Sequence, residues 1–248
     1  VMYCYYYEYA VMIGIFFVCL IICLAGSAPG CPAGYNGPGG IANSGDDAAC
    51  TGGIHRYIDM KLFGSKHIYS QPTCKSLYAC QSYDPEGLLG SMTACTLSYF
   101  GLITGRILLH YPGHKHRLQR WLGLGCLLCF FAGCLCGFSQ NDGIIPINKN
   151  LWSASFGLVT AGGGMIGLSL TYVFVDMYGL WTGAPFRYLG LNSILIFCGH
   201  EILQEYFPFE WEQNYPTHMS LMLMNVFGAT LWALIARYCY SVKFFLKV

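Results

Sequence analysis

The sequence predicts an all-α membrane protein with about six transmembrane helices and a luminal, disulfide-containing cap. Of its 248 residues, 55% are apolar and only 10% are charged, and the mean hydropathy is +0.46. Soluble domains carry about 25% charged residues, so this chain has too few to cover a soluble globule. Its apolar residues also gather into segments of about 20, the length that a bilayer core requires.

Six segments are long and apolar enough to be predicted as spans. They lie near residues 9–26, 88–110, 120–139, 151–175, 188–205 and 219–240. The first could instead be the apolar region of a signal peptide, but no basic residue precedes it, which favours a span. The fifth is the weakest because it contains polar residues, which favour a helix facing the bundle interior. We therefore divide the chain into a first transmembrane helix (1–26), a luminal cap loop (27–86) and a five-helix bundle (87–248).

Basic residues predict the orientation of the spans. They are concentrated in connections on one side, namely Lys115, Arg117 and Arg120 in 111–120, Arg187 in 176–187, and Lys243 and Lys247 in the tail. On the other side, the short loops carry only Lys149. The positive-inside rule then makes the basic loops and the C-terminus cytosolic and the segment 27–86 luminal. The net charge of +1 and the lack of a basic stripe argue against a nucleic-acid partner.

The segment 27–86 is too long for a simple connection, so we expect an ordered cap. It contains Cys31, Cys50, Cys74 and Cys80. Four cysteines on an oxidising side allow three pairings. Among these we favour Cys31–Cys50 together with Cys74–Cys80.

Four further cysteines are spaced like metal ligands but lie in an apolar segment. They are Cys126, Cys129, Cys134 and Cys136. No charged residue accompanies them, so we interpret them as small packing residues and predict no metal site. The glycines of residues 162–164 favour close helix packing, with the approach of a flat ligand as the alternative.

Asn148, Lys149 and Asn150 form a polar interruption between two apolar runs. Lipid cannot solvate a lysine or an amide, so the stretch either faces water as a short loop or lines a cavity. Trp152, just beyond it, is typical of an aromatic anchor at the headgroup level. If the stretch lines a cavity, Lys149 could bind an anionic group of a ligand.

Two acidic positions and one histidine are further candidates. The order Asp84-Pro85-Glu86 predicts a helix start with Asp84 as the N-cap, although the carboxylates could instead bind a cationic ligand. His200 precedes Glu201 in the fifth span, and we expect a buried pair that is either structural or lines a site. For the cap histidines, of which His55 is one, we expect solvated surface positions.

Several peptides, in their order along the chain, resemble the heparan-α-glucosaminide N-acetyltransferase family. They are residues 29–41, 50–53 with 57–59, 83–87, 145–153, 179–183, 192–195, 199–201 and 206–211, which include Pro-Ile-Asn-Lys-Asn-Leu-Trp-Ser, Gly-Leu-Trp-Thr-Gly and Tyr-Phe-Pro-Phe-Glu-Trp. The resemblance runs from about residue 26 to the end.

The resemblance implies a dimeric, multi-pass enzyme of the lysosomal membrane. Such enzymes move acetyl from cytosolic acetyl-CoA to the terminal glucosamine amine of heparan sulfate. The family's catalytic histidine lies ahead of the matched region, so no residue of this chain corresponds to it. We therefore expect the C-terminal half of the enzyme, as a fragment or a split subunit, inactive without its missing N-terminal half.

Acetyl transfer needs the thioester beside the amine, a base and a donor for the oxyanion. For acetyl-CoA we predict the polar stretch and the fifth span, with Asn148, Lys149, Trp152, Ser153, Asn192 and Ser193. For the glycan we predict Asp84, Glu86, His200 and Glu201, and Lys149 could equally bind a glycan sulfate or carboxylate. These groups are expected to converge on one interior cavity. A transporter or channel fragment and a non-catalytic scaffold in the lipid bilayer are the alternatives.

Overall fold

The computed structural model describes residues 5–84, 86–139, 143–211 and 217–246, and these ranges contain helices and no strand. In chain order the α-helices are α1 (Tyr6–Ala25), α2 (Gly53–Phe63), α3 (Lys75–Tyr78), α4 (Leu88–His110), α5 (His114–Leu135), α6 (Ala154–Tyr172), α7 (Phe186–Leu191), α8 (Ser193–Leu203) and α9 (His218–Ser241). A π-helical turn, Val173–Met177, continues α6. The all-α fold class is confirmed.

Five helices are long and apolar enough to cross a membrane, namely α1, α4, α5, α6 with its π-helical turn, and α9. Large apolar side chains on their outer faces are exposed, among them Ile13, Phe131 and Leu170. A hydrocarbon surrounding solvates such side chains, whereas water would not. The exposed apolar surface therefore fits a protein embedded in lipid.

The expected span 188–205 is divided into α7 and α8 at Asn192. The Asn192 side chain is fully buried. Its amide nitrogen donates to the Phe244 carbonyl oxygen at 2.9 Å, and its oxygen accepts from the Leu246 backbone N–H at 3.0 Å. The polar residue that weakened the prediction thus ends one helix and binds the C-terminal tail.

The chain forms two compact units, Val1–Leu170 and Thr171–Val248. The first contains the cap, α1 to α5 and most of α6. In the second, α7 packs against α9, with the rings of Tyr188 and Tyr240 4.9 Å apart. The sequence-based division into 1–26, 27–86 and 87–248 stays a prediction.

Helices α5 and α6 pack closely in the first unit. Their buried cluster consists of Leu128, Ala132, Leu158, Ala161 and Met165. At Gly162, a Cβ would lie 2.6 Å from both the Gly125 carbonyl oxygen and the Cys129 sulfur, whereas at Gly163 nothing lies within 4 Å. The packing interpretation of the glycines therefore holds for Gly162.

Helix α1 packs against α4, and an ion pair joins them. The Arg106 guanidinium lies 2.7 Å from a Glu8 carboxylate oxygen. It also lies over the Tyr5 ring, 3.7 Å from the ring centre. The charge of Arg106 is therefore neutralised within the bundle.

The cap contains both disulfides that the sequence favoured, Cys31–Cys50 and Cys74–Cys80. Its helix α2 buries Ile54 against α1 and α4. The same packing buries His55, whose Nε2 lies 3.2 Å from the Cys23 sulfur. The expected solvated position of His55 is therefore wrong, and burial lowers the pKa of this imidazole to about 4.

The cap segment 27–86 also supplies the side chain that hydrogen-bonds the N-terminus of helix α4. The N-cap residue is Gly87, and the Leu88 N–H donates to the Asp59 carboxylate of α2 at 2.9 Å. A Cβ at Gly87 would collide with that carboxylate. The sequence assigned the N-cap to Asp84, which is wrong because a carboxylate from a distant helix takes that role. The accompanying prediction for Pro85 lies outside the described residues.

Candidate ligand-binding site

A polar cavity of about 460 Å³ lies in the first unit, between the cap and the loop that precedes α6. We name it the cap cavity, and we name residues 146–151 the Asn-Lys-Asn loop. The cap contributes residues 36–38, Ala42, Gly52, Cys74, Tyr78 and Tyr83, and the Asn-Lys-Asn loop contributes all six of its residues. The polar stretch singled out in the sequence therefore lines a cavity.

Side-chain hydrogen bonds fix the shape of the Asn-Lys-Asn loop. The Asn148 side-chain oxygen accepts from the backbone N–H groups of Asn150 and Leu151, at 2.9 and 3.4 Å. The buried Ser153 hydroxyl accepts from the Asn148 backbone N–H at 3.1 Å and donates to the Pro146 carbonyl at 2.9 Å. Asn148 and Ser153 therefore build the loop with the same groups that were predicted to touch a cofactor.

Asn150 connects the loop to the cap. Its side-chain oxygen accepts from the Thr73 hydroxyl at 2.9 Å, and its side chain also hydrogen-bonds the Tyr83 phenol. Tyr83 is only 3% exposed. Burial raises the pKa of its phenol to about 12, against a smaller opposing effect of the Asn150 hydrogen bond. Tyr83 is therefore a neutral wall of the cap cavity.

The cap cavity has a positive electrostatic character. Lys149 lines it and is exposed, and none of the described residues that line it is acidic. No carboxylate in the described ranges forms an ion pair with Lys149. Its ammonium group is therefore free to meet an anion.

Asp84 and Glu86 line a different and more open hollow of about 560 Å³, together with Lys66, His67 and residues 68–70. The Asp84 carboxylate accepts from the Glu86 backbone N–H at 2.9 Å, which forms a local turn. The two carboxylates share this surface with two basic side chains. A ligand with both an amine and anionic groups would complement it.

The remaining predicted site residues have different surroundings. Trp152 is half-buried, has a φ of 48°, and meets the Phe156 ring edge to face at 5.7 Å. In the second unit, Ser193 is exposed next to the buried Asn192. His200 and Glu201 lie 3.8 Å apart, with side chains 52% and 54% exposed. The expectation that this pair is buried is wrong, because both side chains are more than half exposed.

Sequence reasoning missed the part of the site that comes from the cap. Asn36 lies in a stretch rich in glycine and proline, which is typical of turns, yet it is 4% exposed and lines the cap cavity. Its amide nitrogen donates to the Gly34 carbonyl at 2.8 Å, and its side-chain oxygen has no donor among the described residues. Tyr83 directly precedes Asp84, which was a predicted site residue. This position was the signal in the sequence that could have identified Tyr83 as part of the site.

Possible metal ligands are dispersed in the described part of the chain. No three His, Cys, Asp or Glu side chains there come together as a metal site needs. Of the four cysteines around α5, Cys136 is buried and its thiol donates to the Gly133 carbonyl, while Cys129 packs at Gly162. Cys129 and Cys136 thus make a packing contact and a local hydrogen bond, whereas Cys126 and Cys134 are exposed.

These features define a multi-pass, all-helical membrane protein whose disulfide-bonded cap covers a polar cavity. No model of a known protein family matches the chain. It is 42% identical over 223 residues to the heparan-alpha-glucosaminide N-acetyltransferases of Homo sapiens and Mus musculus. The alignment covers 89% of this chain and 34% of each relative, so the chain spans about a third of their length. The resemblance predicted from the sequence is confirmed.

Proposed function

We propose that this chain is the C-terminal part of a transmembrane acetyltransferase. The complete enzyme would move acetyl from cytosolic acetyl-CoA to the terminal glucosamine amine of heparan sulfate in the lysosome. The observation that carries the proposal is the 42% identity, over 89% of the chain, to two proteins named for this reaction. The chain would lie in the lysosomal membrane with a cytosolic C-terminus, as the C-terminal part of each subunit of a homodimer.

The geometry of the first unit supports a saccharide ligand on the side of the cap. By the positive-inside rule, the cap lies opposite the basic loops and therefore opposite the cytosol. Amides, phenols and a lysine line the cap cavity, and such groups bind hydroxyl and anionic groups of sugars. The hollow with Asp84 and Glu86 would receive the cationic glucosamine end.

The chain supplies binding and positioning and does not supply the base. At acidic pH the glucosamine amine is protonated, so transfer needs a proton acceptor. His55 is buried against Cys23 and does not line the cap cavity, whereas His67 lines the hollow with Asp84 and Glu86. We assign the base to the front part of the enzyme because the family resemblance locates the catalytic histidine there.

Acetyl-CoA would bind with its thioester between the two parts of the enzyme. We retain Trp152, Ser153, Asn192 and Ser193 as its proposed surroundings. Asn148 and Lys149, which were also predicted for acetyl-CoA, line the cap cavity, and we assign them to the glycan, the alternative that the sequence allowed for Lys149. Because the polar groups of Ser153 and Asn192 already hydrogen-bond within the protein, these two would shape the site and not bind the cofactor directly. His200 and Glu201 would contact the glycan or the missing half.

Reconstitution tests the proposal. The purified chain in lipid nanodiscs is mixed with acetyl-CoA and a glucosamine acceptor, with and without the remaining N-terminal part of the human relative. Acetylated product in the presence of that part, and not without it, would support the assignment. No product in either case, together with solute flux through the chain in liposomes, would favour a transporter.

A further inference from the structure

We propose that the cap cavity is a subsite for an anionic sugar unit, sulfated or carboxylated, adjacent to the reacting end of the glycan. The acceptor glucosamine itself would bind elsewhere. The inference rests on the proposed function for the identity of the polymer. Its own evidence is the charge, hydrogen-bonding capacity and size of the cap cavity.

Charge favours an anionic group over the protonated amine as the occupant. Lys149 is the cation of the wall, and no acidic residue among the described wall residues offsets it. An ammonium group in this cavity would be repelled by the ammonium group of Lys149. A sulfate or carboxylate would instead form a charge-assisted hydrogen bond with Lys149.

Amides and a phenol surround Lys149 in the wall of the cap cavity, from Asn36, Asn148, Asn150 and Tyr78. Groups of this kind form hydrogen bonds with hydroxyl groups. The cap cavity therefore matches a sugar acid or sugar sulfate better than a free inorganic anion.

Size and walls agree with a sugar unit. A volume of about 460 Å³ lies within the range of small-molecule sites, about 300–1,000 Å³. Tyr78 and Tyr83 add aromatic surface to the wall, which suits the apolar face of a pyranose ring.

The subsite is organised before a ligand arrives. The Asn148 side chain holds the backbone turn that carries Lys149, and Asn150 ties the next residue to Thr73 and Tyr83 of the cap. The lysine backbone therefore has a fixed position, and binding needs to order only its side chain. Preorganisation of this kind improves affinity.

Calorimetry on the full chain in nanodiscs, without acetyl-CoA, tests the subsite. The probes are a sulfated uronic acid–glucosamine disaccharide, its desulfated and carboxyl-reduced counterpart, free glucosamine and inorganic sulfate. The sulfated disaccharide should bind, the neutral one at least about tenfold more weakly, as expected for loss of a hydrogen bond to a charged group. Affinity should fall with added salt.

Matched variants separate Lys149 from general charge effects. Lys149→Gln should weaken the sulfated disaccharide about tenfold and flatten its salt dependence, while Lys149→Arg should keep most of the affinity. Lys115→Gln, in the basic loop on the opposite side, is the control and should bind as wild type. Lys149 is exposed, so these variants should fold, and thermal unfolding checks this.

Two results would overturn the subsite. One is wild-type affinity of Lys149→Gln for the sulfated disaccharide, and the other is binding of free glucosamine that this disaccharide displaces from the cap cavity. Binding of the disaccharide is measured without acetyl transfer. A failure of the reconstituted reaction would therefore not change the conclusion about the subsite. Conversely, transfer that persists without disaccharide binding would reject the subsite and keep the enzyme.

Discussion

At the residue scale, burial decides what each polar side chain does. His55 and His67 both belong to the cap, yet His55 is buried beside Cys23 while His67 is exposed. The sequence alone did not predict this difference in burial, because the burial of His55 depends on the packing of α2 against α1. Asn192 is a second example, because its buried amide forms hydrogen bonds with the backbone of the C-terminal tail at Phe244 and Leu246.

His55 should make the folded protein sensitive to acid. Its pKa is about 4 in the folded state against 6.5 unfolded, so the unfolded state binds more protons between these values. Stability from this group is complete above pH 6.5 and declines by about 3 kcal/mol as the pH falls to 4. In His55→Gln, unfolding temperatures from pH 7.5 to 4 should fall less steeply.

The exposed cap histidine provides the control for this measurement. His67→Gln should keep the wild-type slope. An unchanged slope in His55→Gln would contradict the buried, neutral state of His55.

Asp59 should have the opposite pH dependence. Burial raises the pKa of its carboxyl, with a smaller contribution from Asp84, while the Leu88 N–H lowers it. The folded state therefore binds more protons just above the normal carboxyl pKa, and stability from this group is lost as the pH rises through the raised value. Asp59→Asn keeps an acceptor for Leu88 and should lose this decline in chemical unfolding at pH 4–8. Asp46→Asn, at an exposed position of the cap, should retain it.

At the element scale, hydrophobic length predicted α4 to the residue, α1, α6 and α9 to within three residues at each end, and α5 to within six. Periodicity and composition work there because lipid demands about 20 apolar residues per span. The fifth span was harder to predict, since the break at Asn192 depends on a hydrogen bond to Phe244, 52 residues further along the chain. The N-cap of α4 was wrongly assigned to Asp84 for a similar reason, because the capping carboxylate comes from Asp59, 29 residues before Leu88.

Helix packing at Gly162 can be tested against its neighbour. Gly162→Leu should destabilise the bundle by about 1–3 kcal/mol, because its side chain would overlap Gly125 and Cys129 of α5. Gly163→Leu faces open space and should change stability little. Unfolding in mixed micelles by increasing SDS measures both. Equal losses in the two variants would argue against the close α5–α6 contact.

At the scale of the whole molecule, the cap and the Asn-Lys-Asn loop form one site from distant segments. The sequence identified Asn148 and Lys149 but not their partners, because turn-rich segments such as 29–40 carry little information about which residues face inward. The expected convergence with Asn192 and His200 stays a prediction, since these residues belong to the second unit.

The two disulfides should contribute unequally to the stability of the cap. Cys31–Cys50 joins residues 19 apart and Cys74–Cys80 joins residues 6 apart, and a longer closed loop restricts the unfolded chain more. Cys31→Ser should therefore cost about 3 kcal/mol and reduce the yield of mature protein, and Cys74→Ser should cost less. Cys95→Ser, at an exposed free cysteine of α4, is the control. Mass spectrometry showing Cys31 as a free thiol in native protein would remove the basis for this expectation.

Asn150 accepts a hydrogen bond from Thr73, which directly precedes the Cys74–Cys80 bridge of the cap. Moving the cap away from the Asn-Lys-Asn loop would break this hydrogen bond and would cost free energy. The cap cavity should therefore keep its shape while a ligand enters and leaves, so that exchange of the ligand does not require displacement of the cap.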